Sequence, residues 1–192
     1  MGGGKSPSTK IAAFDFDGTI VENKSGRTFP IDAQDWKLKS KSLKDKIKKL
    51  VNDQGYRFVI ISNQKGISTK QVPVEEVKQR FEQCLDSIGV PCLVLIAAHD
   101  DTYRKPRTGL LSLFTSEYNN NEEIDKNNSF FVGDAAGRKS KIRGVKPDHS
   151  ASDILFAFNL DLPFLTPEQF ISDGKPNRVN PDKIDNLKVF DP

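Results

Sequence analysis

Cysteine, histidine, tryptophan and methionine are nearly missing from this chain of 192 residues, with two, two, one and one copies. Two cysteines, Cys84 and Cys92, cannot build a disulfide framework. With His99 they also make too small a set for a Cys/His zinc site. Cys84 falls at a helical core spacing and Cys92 opens an apolar stretch. Both are expected as buried, reduced thiols, which fits a reducing compartment. No run is long and apolar enough to span a bilayer, so no membrane partner is expected. The first ten residues lack the apolar core of a secretory signal. A strong charge of either sign is absent too. The formal net charge is +3, too small to mark a nucleic-acid binder by bulk electrostatics. Basic residues cluster locally instead: seven lysines lie within 37–49, and Arg138, Lys139, Lys141, Arg143 and Lys146 follow one another closely. Such runs are ordinarily solvated faces. Gly4-Lys5-Ser6 imitates the end of a phosphate-binding loop, but the motif's first glycine would fall before Met1 and no strand precedes it.

What is present is an alternation of apolar runs and amphipathic stretches. Residues 1–9 read as a flexible tail and 10–192 as a single domain. Strands are expected at 11–16, 57–61, 92–97 and 129–132. Leu43, Ile47, Leu50 and Val51 recur at helical spacing within 40–53, before Gly55. Helices are expected also at 74–88, closed by Gly89, at 107–118 after Pro106, at 152–158, and at 167–171 behind Thr166-Pro167. Residues 20–38, with Gly26 and Pro30, read as an irregular excursion or small flap, and 173–192 as a surface wrap. Strands alternating with helices imply an α/β fold: a mainly parallel sheet with right-handed crossovers.

Against that frame the polar residues fall into register. Ile-Ala-Ala-Phe-Asp15-Phe-Asp17-Gly-Thr19 delivers two carboxylates from an apolar run. Side chains two apart on a strand share a face, so both acids can address one atom or one cation. Ser62 and Asp134 also end strands, and Lys105 lies between a strand and a helix. Ligands of open α/β sheets sit at the carboxyl ends of the strands. Two acids, a third acid, a lysine and a hydroxyl suit phosphoryl transfer. Asp15 can attack phosphorus, and Asp17 can protonate the leaving oxygen and then take a proton from water. Asp15 and Asp134 offer hard oxygen ligands to Mg²⁺. Ser62 can donate to a phosphoryl oxygen, and Lys105 can offset developing charge. Each residue also has a plain structural reading: Ser62 as a turn cap, Lys105 as a surface lysine, Asp134 as a helix N-cap.

These motifs resemble the haloacid dehalogenase (HAD) superfamily of Mg²⁺-dependent phosphatases. They are Asp15-Phe-Asp17-Gly-Thr19, Ser62 after Phe-Val-Ile-Ile, Arg104-Lys105-Pro106, and Gly133-Asp134. The resemblance implies a Rossmann-like HAD fold with helices on both faces of the sheet and no large cap domain. It implies Asp15 as nucleophile, Asp17 as acid and base, and the main-chain carbonyl of Asp17 as a metal ligand beside Asp15 and Asp134. Thr19 and Asn63 would support the phosphate site. Within the superfamily the chain is similar to the polynucleotide kinase 3′-phosphatases. That likeness rests on Trp36 after Thr28-Phe29-Pro30, on Ser62-Asn63-Gln64-Lys65-Gly66-Ile67, and on Gly133-Asp134-Ala-Ala-Gly137-Arg138. Asp148-His149-Ser150, Asp153 and the final Phe190-Asp191-Pro192 extend it. Many superfamily members carry a further acid four residues after the fourth motif's aspartate; here that position is Arg138. Asp148 is the first candidate to replace it and Asp153 the second, the latter also suited to a helix's first turn. No kinase segment is recognised after these motifs, so the expectation is a stand-alone 3′-phosphatase acting on DNA strand-break ends in repair. By resemblance it would work in the nucleus, and nothing requires more than a monomer.

A polyanionic substrate calls for a basic entrance. Lys65, Arg104, Arg138, Lys139 and Lys141 adjoin the motifs and are candidate backbone contacts. Phe29 and Trp36 could stack on terminal bases, although packing in the core suits Trp36 as well. Two rival readings stand beside this one. A small-molecule HAD phosphatase of the histidinol-phosphate or sugar-phosphate type would carry a Cys/His zinc cluster before the third motif. A non-catalytic DNA-end-binding protein would have lost Asp15, Asp17, Lys105 or Asp134, and all four are present.

Overall fold

The structure, a computed structural model, describes residues 9–139 and 147–184. Lys141, Arg143 and Lys146, most of the N-terminal tail, and Phe190-Asp191-Pro192 lie outside the described residues.

Five parallel strands form the central sheet: β1 (Ile11–Phe14), β4 (Arg57–Asn63), β5 (Cys92–Ala97), β6 (Phe130–Val132) and β7 (Phe164–Leu165). Their spatial order is β5-β4-β1-β6-β7. The chain leaves β1 toward β4 and β5, then returns to β6 and β7 on the other side. This reversal at β1 opens the crevice in which such sheets hold ligands. β1 aligns Phe14 with Ile60 of β4 and Val132 of β6, so β1 and β6 end together while β4 runs three residues further, to Asn63.

Period-two alternation divides the core in two. Ala12, Phe14, Phe58, Ile60, Phe130 and Val132 face one layer, built by α1 (Lys41–Asn52), α2 (Val74–Ile88) and α5 (Pro167–Ile171). Ile11, Ala13, Val59, Ile61 and Phe131 face the other, built by α3 (Gly109–Leu113) and α4 (Ser152–Asn159). Strands buried on both faces read as unbroken apolar runs, and these do. Helix ends follow local chemistry. Gly89 closes α2 in the left-handed conformation, and Thr166 with Gln169 forms a capping box at the start of α5.

The excursion after β1 is a small antiparallel ribbon, β2 (Val21–Glu22) and β3 (Lys37–Leu38), with a loop between them. It is pinned to α2 by Trp36 Nε1 donating to Gln83 at 3.0 Å and Arg80 Nη2 donating to Asn23 at 2.7 Å. Cys84 is buried as expected, whereas Cys92 is only half-buried; both are free thiols. Two expectations are corrected. β1 ends at Phe14, two residues early, because residues 16–20 fold into a tight turn in which the amide of Ile20 donates to Phe16. The helix expected over 107–118 is α3 followed by a π-turn at Phe114–Tyr118. Arg57 accounts for the wider turn: its guanidinium lies over the Phe114 ring and donates to the Tyr118 carbonyl at 2.7 Å.

Candidate active site

Asp15 follows directly on β1, and its amide continues the ladder by donating to Val132 at 2.8 Å. Its carboxylate is buried and accepts from Lys105 Nζ at 2.7 Å. The same ammonium lies 2.7 Å from Asp153, on the first turn of α4. Lys105 is itself buried, with Phe131's ring 5.1 Å away. Burial alone would push its pKa down, but Asp15 and Asp153 outweigh burial and hold it above its ordinary value. Asn63, at the end of β4, sets the lysine's height. It donates to the Lys105 carbonyl at 3.1 Å and accepts from the Lys105 amide at 3.0 Å.

Asp134 follows β6. Its amide donates to Thr19 Oγ1 at 3.0 Å, and that hydroxyl approaches Asp134 Oδ1 at 3.4 Å, so Thr19 joins the first and fourth motifs. Two glycines make the close approach possible. Gly18 has φ +76°, and a Cβ there would come within 2.5 Å of the Asp134 carboxylate. A Cβ on Gly133 would come within 2.5 Å of Asp153. Carboxylate oxygens of Asp15, Asp134 and Asp153 all lie within 4.8 Å of one another. Burial pushes Asp15 well above the ordinary carboxylate range, with Asp153 and Asp134 adding to it against Lys105. Asp134 is pushed up to about 6, by burial and then by Asp153. Three crowded acids face one buried ammonium, and that excess of negative charge in a set of hard oxygens is what a divalent cation neutralises.

Asp17 takes a different environment. Because β1 stops early, Asp17 is not simply paired with Asp15 on one strand face. Its Oδ2 accepts from Gln64 Nε2 at 2.7 Å, and its Oδ1 is bonded by Arg80. Gln64 also donates to Ser62 Oγ at 3.0 Å, which leaves the buried Ser62 hydroxyl proton available to another acceptor.

Asp148 does not join the carboxylate cluster. It accepts from the amides of Ala136 and Arg138 and forms a two-pronged pair with the Arg138 side chain at 2.7 and 3.0 Å. The structure thus brings Asp153, the second candidate, to the site, because α4 starts under β6 and its first turn faces the Gly133 backbone. Arg138 is further held by Glu168 at 3.1 Å. Lys65 is half exposed and paired with Asp100 at 3.6 Å, and Lys139 is exposed. Arg104 is half-buried, and its Nη1 is buried without a hydrogen-bond partner among the described residues. Phe29 is 77% exposed at the ribbon's loop, while Trp36 packs against the core.

Arg80 and Lys39 were not foreseen. Lys39 donates to the Gly18 carbonyl at 2.7 Å. Arg80 did leave a trace: it shares the inward stripe of α2 with Val77, Phe81 and Cys84. A charge at an apolar helical position needs a buried partner.

The family model for polynucleotide kinase 3 phosphatase matches residues 10–171. An uncharacterized 20.8 kDa protein of Autographa californica nuclear polyhedrosis virus is 39% identical over 85% of this chain and 86% of its own length. The bifunctional polynucleotide phosphatase/kinase of Schizosaccharomyces pombe is 39% identical over 87% of this chain, and the polynucleotide 3′-phosphatase ZDP of Arabidopsis thaliana 38% identical over 87%. This chain spans only 39% and 24% of those two relatives. Among solved structures, a HAD-like phosphatase from Mesorhizobium loti aligns with TM-score 0.65 and 19% identity, covering 93% of this chain and 94% of its own. D,D-heptose 1,7-bisphosphate phosphatase from B. bronchiseptica, complexed with magnesium and phosphate, aligns with TM-score 0.60 and 16% identity over 88% of both. The sheet order and these neighbours make the fold that of the HAD-like phosphatases, and the match over residues 10–171 makes the chain a member of the polynucleotide kinase 3 phosphatase family.

Proposed function

We propose that this chain is a Mg²⁺-dependent 3′-phosphatase that clears 3′-phosphates from DNA strand-break ends, in repair. The observation that carries this reading is the Lys105 ammonium lying 2.7 Å from both Asp15 and Asp153, at the switch point of the sheet. An Asp15 oxygen attacks phosphorus, the bond from phosphorus to the 3′ oxygen breaks, and Asp17 gives that oxygen its proton. Asp17, now ionised, takes a proton from water as the water attacks phosphorus. The aspartyl phosphate breaks, inorganic phosphate leaves, and the Asp15 carboxylate and protonated Asp17 are restored. Ser62 donates to a phosphoryl oxygen, and Lys105 offsets charge gained in the transition state. Asp15 and Asp134, with the Asp17 main-chain carbonyl, would hold Mg²⁺, which supplies charge neutralisation between nucleophile and phosphate. The crowding of Asp15 and half-buried Asp134 with Asp153 supports the two carboxylates of that ligand set.

Arg104 is the first candidate for a contact to the DNA backbone, since it adjoins Lys105 and is half-exposed. Lys65 and Lys139 would add charge nearby, whereas Arg138 is engaged by Asp148 and Glu168. Phe29 offers an exposed ring for stacking on a terminal base. Nuclear residence follows from the repair role. Among the described residues Cys84, Cys92 and His99 form no group that could hold a metal ion, which favours this reading over a zinc-bearing small-molecule phosphatase.

The deciding measurement is phosphate release from a 3′-phosphorylated oligodeoxynucleotide with Mg²⁺. Its 5′-phosphorylated and RNA counterparts, sugar phosphates and EDTA serve as controls. Release restricted to the 3′-phosphate, lost in EDTA and in Asp15→Asn, is expected. Faster turnover of sugar phosphates, or a fully active Asp15→Asn, refutes the proposal.

A further inference from the structure

We propose that Arg80 is the positioning residue of Asp17, setting the direction from which its proton is delivered. This rests on the reading of Asp17 as acid and base. Arg80 reaches the site from the middle of α2 and is 5% exposed. Its Nη1 bonds Asp17 Oδ1, its Nη2 donates to Asn23 Oδ1 at 2.7 Å, and its guanidinium lies over the Phe16 ring at 5.3 Å. Phe16 in turn stacks on Phe81, centroids 3.8 Å apart. The guanidinium is therefore held on two sides, by Asn23 and by the Phe16 ring, before it meets the carboxylate, and its buried Nε has no hydrogen-bond partner among the described residues. Its planar fork keeps that geometry, which a flexible ammonium would not.

Asp17 needs such a hold. It lies beyond the end of β1, in a turn, so the sheet does not orient its side chain. Gln64 fixes one oxygen and Arg80 the other, and the carboxylate is otherwise 45% exposed toward the open end of the site. A buried arginine also has its own requirement. Of the described acids, Asp17 is the one in ion-pair range of Arg80, so the guanidinium pairs with it as an ion when Asp17 is ionised, the state that takes a proton from water, and donates a hydrogen bond to it when it is protonated. The pair is thus mutually enforced. Asn23 belongs to the ribbon, so Arg80 also couples the ribbon to the acid.

Leaving-group chemistry separates positioning from mere structural support. The 3′ oxygen of a sugar leaves only when protonated, whereas p-nitrophenolate leaves without a proton. kcat/KM for each substrate reports the first irreversible step. Arg80→Met is expected to lower kcat/KM for a 3′-phosphorylated oligonucleotide about a hundredfold, and for p-nitrophenyl phosphate less than about threefold. KM for the oligonucleotide should hold, because Arg80 does not face solvent. Arg80→Lys keeps charge but not the fork, and should cost the oligonucleotide about tenfold with the aryl ester unchanged. If Arg80→Met does not fold, Arg80→Lys carries the test. Asp17→Asn is the reference. If it loses both substrates equally, the acid reading falls and this proposal with it. If it shows the leaving-group signature and the folded Arg80 variants do not, Arg80's role alone is overturned.

Discussion

Asn63 grips the main chain of Lys105 from both sides, donating to its carbonyl at 3.1 Å and accepting from its amide at 3.0 Å. Asn63 ends β4 and Lys105 lies on the connection from β5 to α3, so this clamp fixes how far Lys105 projects toward Asp15. Asn63→Ala should lower kcat about ten- to a hundredfold, the usual consequence of a misplaced charged group. Stability should fall by only about 1 kcal/mol. Steady-state kinetics beside urea unfolding checks both numbers, and a variant with wild-type kcat would show that the lysine needs no clamp.

Asp153 and Asp148 should part company on mutation. Asp153 is buried, holds Lys105 and accepts from the Ala135 amide at 3.0 Å. Asp153→Ala leaves the buried ammonium paired with Asp15 but strips the Ala135 amide of its acceptor, a change expected to cost about 1–3 kcal/mol. Asp148→Ala breaks a partly exposed pair with Arg138 and should cost about 1 kcal/mol or less. Activity should follow the same order. Chemical denaturation and phosphate release on both variants test it, and a larger loss in Asp148→Ala would reverse the assignment.

Mg²⁺ should stabilise the fold through the carboxylate trio. At a concentration near a hundred times its dissociation constant, a ligand of the native state adds about 2.7 kcal/mol. Thermal unfolding with and without Mg²⁺ should show a raised Tm in the wild type. In Asp134→Ala the shift should largely vanish, since one of the three close carboxylates is gone. An equal shift in that variant would place the cation elsewhere.

Much of this molecule was legible from local pattern. The boundaries of α2, β5 and α5 follow from apolar spacing and from Gly89 and Thr166-Pro167, because caps and periodicity act over a few residues. Asp15, Ser62, Lys105 and Asp134 could be named because each follows or ends an apolar strand, and a parallel sheet delivers its strand ends to one rim. The π-turn after α3 escaped notice because it depends on Arg57, more than fifty residues away in the chain.

Partnership was decided elsewhere. Spacing set Asp15 and Asp17 on one face, and the family resemblance offered Asp148 before Asp153. In three dimensions a tight turn at Phe16 sends Asp17 to Arg80 and Gln64, and the approach of α4 to Gly133 brings Asp153 to Lys105. Residue order dictates which groups reach the rim, since secondary structure is a short-range consequence of sterics and periodicity. Which charge neutralises which is settled by packing, because burial makes an unpaired ion too costly and the nearest opposite charge across the core becomes its partner.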